Sequence, residues 1–250
     1  MKKWLTFAAV IIIIQLFFVA LPDKNTFLPS PLGVFLSLAD QLQQGEIWLH
    51  IATSLARVVI GFLLAASLAI PLGILSGYSR TFNDFLKPFV EILRPIPPIA
   101  WIPIAILLFG VGNGSSYFIV FLGAFFPIFT NTYFGSVSLP VVYRNVALSF
   151  EVGRNKFITK ILFYFSLPYI FTGLKIGIGM AWMSLIAAEL IGAQSGLGYF
   201  IQINRLLLRI DNVIVGMILI GAIGLALARS LTVLEKKIMP WLPQSKDSSY

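Results

Sequence analysis

Cysteine is absent from the 250 residues, and histidine occurs once, at His50. Without cysteine there is no disulfide framework, thiolate nucleophile or cysteine metal site, and a lone imidazole makes no metal cluster. No glycine-rich phosphate loop ending in lysine and a hydroxyl residue occurs, nor any acid, base and nucleophile constellation. The chain is therefore expected to be no enzyme, to carry no ATPase site and to bind no cofactor of its own. Charge is scarce as well: 11% of the residues are charged against 58% hydrophobic, too little polar surface to cover a soluble domain.

What the chain has in excess is long apolar runs. They lie near residues 4 to 21, 51 to 76, 88 to 109, 116 to 134, 167 to 193 and 213 to 234, each long enough to cross roughly 30 Å of hydrocarbon as a helix. The expected fold is a single all-α membrane domain over 1–250 with six transmembrane helices. The opening run has the charged head of a signal peptide, but it is longer than a signal core and bulky throughout, so it reads as a retained first span.

The formal charge of +8 does not point to nucleic acid, because the cations flank the apolar runs. With a cytoplasmic N-terminus, Lys2, Lys3, Arg80, Arg94, Arg144, Arg154, Lys236 and Lys237 fall at cytoplasmic span ends. Lys24, Arg205 and Arg209 fall outside. This asymmetry places both termini in the cytoplasm and leaves Arg57 as the one cation within an outer half-span. Two readings of Arg57 stand: it favours an anion, or it snorkels to the interface.

Between the first two spans, Ser30, Pro31 and Gly45 bracket an external amphipathic helix over about 31–44, as a cap, a first helical residue and a stop. It either docks a periplasmic partner or anchors at the interface. In the second span, Gly61, Ala65, Ala69, Gly73 and Gly77 recur every four residues and make a smooth face for close helix packing, as Gly173, Gly177 and Ala181 do in the fifth. Pro71 is expected to bend the second span.

The third span holds Pro88, Pro95, Pro97, Pro98 and Pro103, so a break is expected around Arg94 to Pro98. Broken membrane helices occur where protein or a water-filled cavity shelters the backbone, which makes Arg94, Pro97, Pro98 and Trp101 candidates for a pathway wall. The other reading is an interfacial turn followed by an ordinary span. Glu189, near the outer end of the fifth span, is a further pathway candidate, since an intramembrane carboxylate is costly; the other reading is that it reaches water or caps backbone amides. The cytoplasmic loop 135–166 alternates basic and apolar residues. It reads as two short helices meeting at Glu151 to Asn155, suited to lipid headgroups or to a partner's groove.

Three extended segments, LPSPLGVF, LRPIPPIAWIPIAILLFGVGN and SLPYIFTGLKIGIGMAWMSLIAAELIGAQSGLGYFI, resemble the permease subunits of binding-protein-dependent ABC importers, in the nitrate, sulfonate and taurine branch. The resemblance spans nearly the whole chain. It implies alternating access, with two permease copies, expected as a homodimer, around one pathway. A cytoplasmic ABC ATPase using ATP and Mg lies beneath, and a periplasmic or lipid-anchored substrate-binding protein delivers a small anion or zwitterion such as sulfonate, taurine, nitrate or bicarbonate. The expected location is the bacterial inner membrane, with no nucleic acid partner.

In that family the 135–166 loop carries a Glu-Ala-Ala signature, with a glycine six residues after the Glu and a closing Leu-Pro, and it docks on the ATPase. Here Asn145, Val146 and Ala147 hold the first three positions, Glu151 holds the glycine position, and Phe163 and Tyr164 replace Leu-Pro. The resemblance makes Asn145, Ala147, Phe150, Glu151, Arg154 and Phe157 the ATPase-coupling candidates. The alternatives are a secondary transporter, which would show ionisable residues at mid-membrane and a broken span in each half, and a non-transporting scaffold.

Overall fold

The computed structural model describes residues 30–241, and every regular element among them is helical. The first span expected at 4 to 21 lies outside the described residues. Helix α1, Pro31–Gln44, starts as its sequence dictates: the Ser30 hydroxyl accepts a hydrogen bond from the Gly33 amide at 3.1 Å, and Gly45 ends the helix at φ 80°.

Four helices are long and apolar enough to cross a membrane: α2, Glu46–Tyr78; α5, Asn113–Val137; α7, Arg154–Gly192; and α9, Ile210–Ile238. At 33 residues α2 is about 50 Å long, more than a bilayer's hydrocarbon thickness. It runs unbroken through Pro71.

The core forms where α2, α5 and α7 meet, with Val58, Phe62, Ala65 and Ala69 set against Val120, Ala124 and Ile128, and these against Ile178, Ala181 and Leu185. The glycines decide how closely the backbones approach. A Cβ on Gly61 would stand 2.6 Å from Val120 Cγ1, and one on Gly73 would stand 2.7 Å from Thr132 Cβ. The small-residue face of α2 thus packs on α5, and Gly173 and Gly177 pack on the other side of α5, against Asn131 and Ile128. Helix α9 is peripheral. It is tied to α7 by the Trp182 indole, which donates to the Ile220 carbonyl at 3.1 Å, and by an ion pair between Lys175 and Glu235 at 2.9 Å.

The segment expected as one span over 88–109 is not a single rod. Helix α3, Arg80–Leu93, begins well before it, and α4, Ile102–Phe109, follows a 3-10 turn over Pro98–Trp101. The two pieces meet at 85°. Pro95, Pro97 and Pro98 are the cause, since they remove successive donors and push the preceding residues out of helical geometry. Pro88 is tolerated because it sits exposed, as does Asp84, whose carbonyl it leaves without a helical donor. Together the turn and α4 rise only about 20 Å, short of a full crossing.

The loop between α5 and α7 also differs from its expectation. It holds one separate short helix, α6, Val141–Ser149; the second is the first turn of α7, joined to the rest through a π-helical turn at Phe157–Leu162. No glycine interrupts the chain from Arg154 to Thr172. The wider turn re-aims the side chains so that Phe157 and Leu162 both point inward. The last helix before α9 is α8, Leu197–Leu206.

Candidate functional site

Three places concentrate polar chemistry. The first is at the end of the bundle where α2 begins and α7 ends. Glu189 is 1% exposed and Arg57 3%, and their side chains meet at 3.0 Å. Every nitrogen of the guanidinium is used: Nη1 donates also to the Ser195 carbonyl at 2.6 Å, Nη2 to the Ser195 hydroxyl at 3.0 Å, and Nε to Asn113 at 2.8 Å. The Glu189 carboxylate accepts from Ser54 at 2.8 Å and from the Gly198 amide at 3.0 Å. Ser54 accepts from the Leu197 amide at 2.9 Å, and His50 Nδ1 accepts from the Gly196 amide at 3.1 Å, which makes Nε2 the protonated nitrogen of that ring. Gly196 is required here, for its φ is 107° and a Cβ would fall on the Glu189 carboxylate.

This cluster clamps the turn after α7 onto α2 and α5. Of the two readings of Glu189, the structure has it capping a backbone amide; it does not bring this carboxylate to the cavity of the broken span. Neither reading of Arg57 describes its place, because the guanidinium is saturated by the protein. The pairing escaped the sequence reading although its signal was there, as opposite charges in the outer halves of two spans are commonly each other's partner.

The second place is the break between α3 and α4. A cavity of about 260 Å³ is lined there by Arg94, Ile96 and Pro98, facing Phe126, Thr130 and Asn131 of α5 and Met180 of α7. Arg94 is exposed and has no ion-pair partner among the described residues. No carboxylate lines the cavity. Arg94 and Pro98 are thus brought together. Pro97 is exposed at the break, while Trp101 packs its ring edge-on against Phe118 at 6.4 Å. Thr130 and Asn131 went unnoticed in the sequence, where nothing distinguishes them from other polar residues in a span.

The third place is α6 and the turn after it. Asn145, Phe150, Glu151 and Arg154 are exposed, Phe150 at 78%, and the Arg154 guanidinium lies 5.2 Å above the centre of the Tyr78 ring. Ala147 and Phe157 are buried among Ile74, Leu162, Leu167 and Phe171, so they hold α6 to the spans and present nothing outward. The turn has a defined geometry: the Val152 amide donates to the Ala147 carbonyl at 2.9 Å and the Glu151 amide to that of Leu148 at 3.0 Å, with Glu151 at φ 50°. These are the two bonds of a Schellman cap, whose left-handed residue is most often glycine. The glycine of the resembling family at this position therefore has a local reason, and Glu151 takes up the same conformation.

Residues 69–240 match the family described as binding-protein-dependent transport system inner membrane component. Among curated proteins the chain is similar to the nitrate import permease protein NrtB of a Synechocystis species, at 40% identity over 77% of this chain and 70% of that protein. It is also similar to the bicarbonate transport system permease protein CmpB of Synechococcus elongatus, at 37% identity over 86% of this chain and 81% of that protein. In fold it resembles a chain of the MetNI methionine ABC transporter in an inward-facing conformation, with a TM-score of 0.61 and 17% identity over 74% of this chain and 96% of that one. Long apolar helices, the matched family and these relatives agree that the chain is an integral membrane protein belonging to the binding-protein-dependent transport system inner membrane components, the permeases of ABC importers.

Proposed function

We propose that the chain forms the translocation pathway for a small anion in an inner-membrane ATP-driven importer, and that the cavity at the α3–α4 break belongs to that pathway. The observation that carries this reading is the lining: one unpaired guanidinium, Arg94, two neutral polar side chains, Thr130 and Asn131, apolar walls and no carboxylate. A low-dielectric cleft of one charge sign concentrates the opposite sign, and an unbonded arginine is suited to a planar or tetrahedral oxyanion. Nitrate and bicarbonate, named for two relatives, have this chemistry; sulfonate and taurine headgroups share it.

In this reading the chain has six spans, the short turn-and-α4 segment counted as one of them, with both termini cytoplasmic, and it pairs with a second copy of itself. A binding protein delivers the solute to the side of the Arg57–Glu189 cluster. A cytoplasmic ABC ATPase meets α6 on the other side through Asn145, Phe150, Glu151 and Arg154, while Ala147 and Phe157 carry the ATPase's displacement into the spans. Their burial supports that division, because a rigid-body shift passes through packed side chains and is lost in a flexible loop.

The test is reconstitution with the cognate binding protein and ATPase, with nitrate, bicarbonate, taurine and alkanesulfonates each screened for stimulation of ATP turnover. At least one small anion should stimulate, and Arg94→Gln should raise the concentration needed by about tenfold, as for loss of one charged hydrogen bond. Unchanged behaviour of Arg94→Gln would remove the cavity from the pathway.

A further inference from the structure

A cavity of about 560 Å³ lies at the opposite end of the bundle from the Arg57–Glu189 cluster, between the α2–α3 corner, the end of α5 and α6. Its polar lining comes from separate elements: Ser76 from α2, Arg80 and Asn83 from α3, Tyr133 and Ser136 from α5, and Arg144 from α6. Neither arginine has an ion-pair partner among the described residues, although one carboxylate, Asp84, shares the lining. Ser76 is 3% exposed, and its hydroxyl makes no hydrogen bond.

The helix beside the cavity locates it with respect to lipid. Along α3, Phe85, Phe89 and Ile92 are exposed on one face while Asn83, Lys87 and Glu91 occupy the rest, the pattern of a helix lying in a membrane interface. The cavity therefore opens at headgroup depth. Its volume exceeds that of a bare inorganic ion and suits an oxyanion attached to a larger polar group.

We propose that this cavity binds a phosphate-type oxyanion between Arg80 and Arg144, either as the headgroup of an anionic phospholipid or as a free phosphate. The two arginines line one cavity from different elements, and guanidiniums offer the bidentate donor pairs that such an oxyanion takes. The bound group links α6 to the α2–α3 corner, so occupancy of the site stiffens the helix assigned above to the ATPase contact. The site does not depend on which solute is imported.

Binding is measured on the purified chain in detergent, by native mass spectrometry with phosphatidylglycerol against phosphatidylcholine, and by thermal shift with inorganic phosphate. Phosphatidylglycerol should be retained over phosphatidylcholine. Arg80→Gln and Arg144→Gln should each weaken it about fivefold, the scale of one interfacial cation, while the control Arg205→Gln, exposed on α8 at the Arg57–Glu189 end of the bundle, should leave it unchanged. Both arginines are exposed and make no intramolecular bond, so these variants should keep the parent melting temperature. A shift with phosphate that the arginine variants abolish, without lipid selectivity, would assign a soluble ligand to the same site. Binding of both probes unaffected by the double arginine variant, or equally affected by Arg205→Gln, would overturn the proposal. So would arginine variants that lose only the association with an ATPase subunit, which would make the cavity a protein socket.

Discussion

Arg57 and Glu189 show how a charge pair survives at the edge of a membrane. Each is desolvated, yet together with Ser54, Asn113, Ser195 and the Gly198 amide they leave no guanidinium nitrogen and no carboxylate oxygen unused. Removing one partner exposes the other as an unpaired buried charge, so Arg57→Ala should cost about 3–5 kcal/mol. The double replacement Arg57→Met with Glu189→Met should recover part of that loss, in denaturation of the detergent-solubilised protein. If the double variant is as unstable as the single one, the amide caps contribute more than the charge pairing. Glu151 gives an opposite expectation. Its left-handed backbone costs a residue with a Cβ about 1 kcal/mol or more, so Glu151→Gly should raise the melting temperature by an amount equivalent to up to about 1 kcal/mol. A fall in melting temperature would mean that the Glu151 side chain contributes contacts of its own.

Among the helices, the glycines divide into two kinds that look alike in sequence. A Cβ on Gly61 would meet the Val120 side chain within hard-sphere distance, whereas one on Gly179 or Gly221 would meet nothing within 4 Å. Gly61→Val should therefore destabilise by about 1–3 kcal/mol through forced separation of α2 and α5. Gly221→Ala should be neutral or stabilising by up to about 1 kcal/mol, since alanine is the better helix former. Equal effects of the two, read as shifts in thermal unfolding, would show that close approach does not limit α2–α5 packing. The same principle explains the loop between α5 and α7. Its amphipathic pattern was legible, but a pattern repeating at helical period does not say where one helix stops, and without a breaker after Gly153 the second short helix fused with α7.

For the molecule as a whole, the lack of cysteine makes orientation directly measurable. Single cysteines at Gln194, beside the Arg57–Glu189 cluster, and at Ser149, at the end of α6, are both on exposed positions. A membrane-impermeant thiol reagent should label Gln194→Cys in intact cells, and Ser149→Cys only after the membrane is opened. The reverse pattern would invert the proposed sidedness and place α6 away from any cytoplasmic ATPase.

The sequence by itself determined the solvent, the helical class, the four long apolar helices, the cap of α1, the glycine faces and the break at Arg94 to Pro98. Each depends on residues near one another in the chain: hydropathy summed along a run, a cap one turn from its amide, prolines removing adjacent donors. Only the tertiary structure decided that Arg57 answers Glu189 across 132 positions, that Ala147 and Phe157 turn inward while Phe150 turns out, and that Arg94 looks onto Thr130 and Asn131. These depend on how α2, α5 and α7 are rotated about their own axes. That rotation is fixed by the backbone approach at Gly61, Gly73 and Gly177, a property of facing surfaces that no single helix carries in its own sequence.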